Sequence, residues 1–191
     1  IQSATEVVHY LLFEILCIFK KAITDAQLPI STRISAIDDA IHAVQHYLEK
    51  ISIDESQSDQ DRLMAVLRLM VYLKVLRSDL VHIDYSVDIR KQPNIYQIAL
   101  DYGQILENNL QNIDALKAKH DMENLNTELS NLKQWSKKHR PEIRESVLQF
   151  SSVNKLNAAK SMELFAAQRW LDRLIAHNLR LSQVLLEHSE V

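Results

Sequence analysis

The stretch ISAIDDAIHAVQHYLEKI (Ile34–Ile51) sets the class of the fold. Ile34, Ile37, Ile41, Val44, Leu48 and Ile51 recur at spacings of 3, 4, 3, 4 and 3, the seam of a helix that buries one stripe in a bundle. Ser31 or Thr32 is placed to cap its start. To its N-terminal side a helix is expected from about Ser3 to Asp25, stopping before Leu28-Pro29. To its C-terminal side the polar run Asp54–Gln60 reads as a loop or helix start. A third helix is then expected over Asp59–Lys91 with the seam Leu69, Leu73, Leu76, Leu80, Ile83 and Val87. Lys91-Gln92-Pro93 ends it, because proline disfavours helix in the residue before it. Further helices follow over Asn94–Lys119, Glu123–His139 (halted by Pro141) and Val153–Glu187, with a short helical piece at Glu142–Phe150.

Composition agrees with long helices and short connections. One glycine, Gly103, and three prolines interrupt 191 residues, and strand folds need turn residues far more often. A 47% hydrophobic and 25% charged chain of this length can bury a core without disulfides or metal. A net charge of −3 carries no basic excess for nucleic acid or an anionic membrane, so nucleic acid is not expected as a partner. Cys17 is the only cysteine and has no disulfide partner; its apolar neighbours Leu16 and Ile18 predict a buried, inert thiol. The most apolar stretch, Val7–Phe19, contains His9 and Glu14 and is shorter than the roughly 20 residues of a spanning helix. It lacks the flanks of a signal peptide. Starting at Ile1 rather than Met, the chain is expected to be a piece of something longer.

An offset of 91 residues repeats the seam. Ile34, Ile41 and Val44 become Leu125, Leu132 and Trp135; Leu73, Leu76, Leu80 and Ile83 become Leu164, Ala167, Leu171 and Leu174. Leu11 and Ile15 become Tyr102 and Leu106, whereas Ile37, Leu48 and Val87 fall on Glu128, His139 and Asn178. The expected fold is therefore all-α: two tandem three-helix repeats, about 1–91 and 92–191, packed as one elongated helical bundle.

Little in the chain points to catalysis. There is no Gly-rich phosphate loop, no CxxC, no HExxH and no nucleophile elbow, so no enzyme is expected. His42 and His46 stand four apart with Asp38 and Asp39 one turn earlier, a spacing open to metal, but they fall on the solvent side of the seam. Asp84 and Asp88 are also four apart, and either hold a hard cation or serve as structural partners beside Arg77. Near the C-terminus, Leu171, Leu174 and Leu181 form a seam with Asn178 intruding. Trp170 flanks that seam and is expected to bury its ring; Asp172 and Arg173 point away, and His177 lies on the Trp170 flank. No residue is assigned a catalytic, cofactor-binding or metal role.

The runs Asp79-Leu80-Val81-His82-Ile83-Asp84 and Leu171–His177 resemble the "LERIGDH" helix of PhoU-like proteins, which are built from two three-helix repeats. Arg169-Trp170-Leu171-Asp172-Arg173, followed by His177 and Arg180, is similar to the "RWLDR…H..R" signature of one branch. That branch is the cytoplasmic C-terminal PhoU-like domain of bacterial sodium-dependent phosphate (Na/Pi) cotransporters. The resemblance implies a non-catalytic regulatory domain on the cytoplasmic side of the membrane. It would be the soluble part of an integral membrane protein, with the transmembrane domain, a protein partner or a second copy to dock on. Some family members bind metal clusters through an E/D-x-x-x-D motif. Here that motif would fall on Val81 and Tyr85 in the first repeat, and on Asp172 and Ala176 in the second, so no metal is carried over. The competing expectations are a free-standing helical interaction module and, third, a metal-binding bundle.

Overall fold

A computed structural model describes residues 1–24, 30–51 and 57–188. Among these there is no strand, and the chain forms an all-α bundle. Its helices are α1 (Gln2–Thr24), α2 (Ile30–Glu49), α3 (Gln57–Leu80), α4 (Tyr85–Lys91), α5 (Pro93–Asn109), α6 (Lys119–Lys138), α7 (Arg140–Val153) and α8 (Ala158–His188), with a 3-10 turn at Ile113–Lys117. The expected stop at Leu28-Pro29, the side chains of Ser31 and Thr32, and most of the polar run after Ile51 lie outside the described residues.

The buried apolar positions of α1 form one broad stripe: Val8, Leu11, Leu12, Ile15, Ile18, Phe19, Ala22 and Ile23 recur at spacings of three and four. A stripe this wide can meet several neighbouring elements at once. Accordingly α1 packs against α2, α3, α5 and the 3-10 turn. α8 makes the second axis of the bundle, covered by α3, α4, α6 and α7. Rungs fix its register on α6: Asn126 Nδ2 donates to Ser182 Oγ (2.9 Å) and Ser136 Oγ to Asp172 Oδ1 (2.9 Å). As numbers rise along α6 they fall along α8, so the two run antiparallel.

The expected third helix breaks in two. After Leu80 a run of i→i−3 hydrogen bonds, from Val81 N to Ser78 O through Val87 N to Asp84 O, overwinds the backbone before α4 begins. The overwinding shifts the phase, so the seam passes to Ser86 and Ile89, and Val87 is 48% exposed rather than buried. Lys91-Gln92-Pro93 does end α4, and Gln92 caps α5 by accepting from Ile95 N (2.7 Å) with Pro93 in the first turn. The fourth expected helix stops at Asn109, ten residues before Lys119, and the 3-10 turn takes up the rest. Val153 closes α7 rather than opening α8, which starts at Ala158.

Under the 91-residue offset Leu11 and Tyr102, Ile15 and Leu106, Ile41 and Leu132, Leu80 and Leu171, and Ile83 and Leu174 are buried pair by pair. Val44 is buried, but Trp135 is 47% exposed, stacked on His139 at 4.3 Å. The helix breaks do not coincide either: the break at 81–84 falls within α8 when shifted by 91.

Arg77 ties α3 to α2 rather than serving Asp84. Its Nε and Nη2 donate to Asp38 Oδ1 and Oδ2 at 2.5 and 2.6 Å, a bidentate pair. Those hydrogen bonds hold the Asp38 carboxyl below its ordinary value. A group depressed in the folded state stabilises the fold above its unfolded pKa, and the contribution is lost as pH falls through the lower folded value. Asp38 is 39% exposed at its side chain, so screening keeps the contribution small. Asp38→Asn is expected to lower unfolding stability by about 0.5–1 kcal/mol at neutral pH. The gap from wild type should close in urea titrations run below about pH 4. A gap that persists in acid would show that the pair is not the source.

Candidate functional site

The overwinding after Leu80 sets the geometry of the most polar point in the core. In a regular helix the Asp79 carbonyl would accept from Ile83 N, but Ile83 N turns to Leu80 O. The Asp79 carbonyl instead takes His82 N (3.2 Å) and, from α8, the Trp170 indole Nε1 (3.0 Å). The Asp79 side chain, 4% exposed, faces the same way: Arg173 Nε donates to Oδ1 at 3.2 Å, and His177 Nδ1 lies 2.6 Å from Oδ2. Trp170, Arg173 and His177 are spaced i, i+3 and i+7, so one flank of α8 meets one residue of α3. Arg173 and His177 are 49% and 30% exposed at their side chains, so the network runs from the core out to water.

Aromatic rings close it on the inner side. Trp170 is 1% exposed and meets Phe19 of α1 edge-on (6.2 Å) and Tyr85 of α4 at a tilt (6.3 Å); Tyr85 stacks on His82. Tyr102 of α5 is fully buried, and among the described residues its hydroxyl has no hydrogen-bond partner. Burial, with the Asp79 charge adding to it, pushes the Tyr102 phenol well above its ordinary value. An unpartnered buried hydroxyl carries an unrecovered desolvation cost of about 1–3 kcal/mol. Tyr102→Phe is therefore expected to leave the thermal midpoint unchanged or raise it; a clear drop would reveal a ligand or water held by that oxygen.

Chemically, the arrangement is a buried carboxylate saturated by charge-assisted donors from another helix, which locks the α3–α4 corner to α8. An aspartate on an imidazole nitrogen also orients bases in hydrolases, but there the second nitrogen meets a nucleophile. Among the described residues only Asp79 is hydrogen-bonded to the His177 ring.

The other sequence candidates lie apart from this point. His42 and His46 are exposed, the latter near Glu49 at 3.8 Å. Asp84 is exposed at the start of α4 without capping it, and Asp88 pairs with Lys91 at 2.8 Å, so the two carboxylates do not converge. Among the described residues no group of three or more His, Cys, Asp or Glu is placed to hold a metal ion. Cys17 is half-buried rather than buried, and desolvation raises its thiol above the ordinary value. Two expectations for α8 are corrected: Arg173 reaches Asp79, and Asp172 is tied to Ser136 and to Arg140 (3.4 Å). Trp170 does bury its ring, and Asn178 is satisfied within the seam by donating to Leu174 O at 2.8 Å.

Sequence reasoning placed Trp170 and His177 on one flank but found them no carboxylate. The missing signal was Asp79, whose position between the seam residues Leu76 and Leu80 turns it inward, and which lies exactly one 91-residue offset before Trp170. Compared with family models, curated proteins and solved structures, the chain finds no match.

Proposed function

We propose that this chain is a non-catalytic regulatory domain of a sodium/phosphate symporter-type membrane transporter, acting from the cytoplasmic side on phosphate transport. One observation carries the reading. The two runs that resemble PhoU-like proteins, Asp79–Asp84 and Arg169–Arg180, meet in the fold: Trp170, Arg173 and His177 all bind Asp79. Signature residues gathered on one corner-locking contact suit a domain that holds or shifts the relative position of its helices, and α8 is the lever. The buried pairs under the 91-residue offset support a duplicated three-helix unit as its origin. No helix among the described residues is long and apolar enough to cross a membrane, so transport itself would belong to another part of the protein. Two measurements test the reading. The coding sequence upstream of Ile1 should encode a set of transmembrane helices. Phosphate uptake by that transporter should change in amount or sodium dependence when residues 1–191 are deleted. No such helices, or uptake identical with and without the domain, would overturn it.

A second reading, a free-standing helical interaction module, is favoured by an open groove of about 380 Å³ between α2 and α3. Leu48, Leu63, Leu67, Met70 and Val71 line it, and Val71 is 59% exposed. A start codon immediately before Ile1 would favour this module over the transporter domain.

A further inference from the structure

We infer that α2 and α3 form the face through which two copies of this chain pair about a two-fold axis, with α3 lying antiparallel to α3 of the second copy. The inference rests on the groove between these helices and holds whether or not a transporter is attached. Helix α3 is apolar on two opposite sides. Val66, Leu69, Leu73, Leu76 and Leu80 turn into the core and are buried. Met64, Leu67 and Val71, spaced three and four apart, point the other way and are 53%, 40% and 59% exposed. At 3.6 residues per turn the centres of the two sets are about 180° apart. The outer set is a second helix-packing seam, left in water beside an open apolar groove of about 380 Å³ that Leu48 of α2 and Met70 of α3 deepen.

Charge and register decide what lies on that seam. Glu49 lines the groove from α2 and Lys74 from α3. Seven residues separate the end of α2 from the start of α3, and Asp38 pairs with Arg77, so the two helices run antiparallel. With residue 38 level with residue 77, Glu49 is level with about residue 66, and Lys74 lies about 12 Å further along α3. The groove thus has an acidic end and a basic end. A two-fold axis midway between them passes beside Val71. It brings Lys74 of one protomer level with Glu49 of its partner, twice over, and sets the two Val71 side chains together at the centre. A face whose acidic and basic ends exchange under a two-fold is complementary to itself. Both charges are available: the Glu49 side chain is 73% exposed with only His46 nearby at 3.8 Å, and Lys74 is exposed with no ion pair among the described residues. Two helices side by side are about 20 Å wide, and the 20 residues of α2 make the layer about 30 Å long, so pairing covers about 600 Å² per protomer. The total of about 1,200 Å² is at the lower edge of what specific interfaces bury, which gives a dimer that forms and dissociates with concentration.

Analytical ultracentrifugation of the 191-residue chain tests it, and over about 1–200 µM protein it should show a monomer–dimer equilibrium. Val71→Asp places two carboxylates against each other at the axis and should weaken dimerisation at least about 100-fold. Glu49→Lys should weaken it about tenfold, because the change breaks two symmetry-related pairs at once, and Lys74→Glu should do the same. Glu49→Lys combined with Lys74→Glu re-forms both pairs with the signs reversed and should return the dissociation constant to within about threefold of wild type. Each of these side chains is exposed in the single chain, so the thermal midpoint of dilute protein should not move. A groove filled by another segment of chain or reserved for another protein would leave the chain monomeric at every concentration, and that result would overturn the inference. A dimer indifferent to Val71→Asp, or a double charge exchange that fails to restore association, would overturn it equally.

Discussion

Trp170→Ala is expected to cost about 3–5 kcal/mol, the range for truncating a fully buried aromatic side chain. The ring is 1% exposed and touches three other helices: Phe19 on α1, the Asp79 carbonyl on α3 and Tyr85 on α4. Truncation opens a void where these helices converge and leaves the Asp79 carbonyl with a single long partner, His82 N. For a chain of this size the thermal midpoint should fall by on the order of 10 °C. Trp170→Phe separates the two contributions. It restores much of the packing but not the N–H donor, and should recover more than half of the loss. Calorimetry showing Trp170→Ala within about 1 kcal/mol of wild type would mean that the ring is not central to the fold.

The second large effect comes from removing both donors to Asp79. Arg173→Ala combined with His177→Ala leaves a 4% exposed carboxylate without a cation. Stripping the partners from a buried charge costs about 3–5 kcal/mol, most of it the desolvation that the partners offset. The diagnostic experiment is a cycle with Asp79→Asn. In the asparagine background there is no charge to strand, so the same two truncations should cost only about 1 kcal/mol. Chemical denaturation at neutral pH measures all four corners. Equal costs in the two backgrounds would show that Arg173 and His177 stabilise α8 by packing alone.

Much of the architecture was legible because helices announce themselves by spacing. The seam of α2 was read correctly at its centre: Ile37, Ile41 and Val44 are buried, with Ile34 and Leu48 half-buried. The Gln92-Pro93 boundary followed from the backbone chemistry of proline alone. The break after Leu80 was not legible, because no glycine or proline stands between Asp79 and Tyr85 to mark it. Overwinding there depends on what α8 offers from 91 residues away, and periodicity carries no such information. The same limit hid the site. Arg173 was placed on the outer surface because local spacing turns it from its own seam, yet its length lets the guanidinium reach back to Asp79 while the stem stays half in water. Arg77 was given the nearer Asp84 as partner, whereas the helix arrangement presents Asp38.

Because the bond from His177 to Asp79 closes a loop of 98 residues, it has a consequence for how the protein is born. On a ribosome adding about 5–20 residues per second, α3 leaves the exit tunnel some 5–20 seconds before the donors that its carboxylate requires. Throughout that interval the nascent α1–α3 hairpin has apolar faces with no α8 to cover them, and a message cut short before the codon for Trp170 yields a polypeptide that never gains that cover. Such truncated products are natural clients for holdase chaperones and for proteolysis, whereas one more stretch of translation, through His177, supplies the clasp.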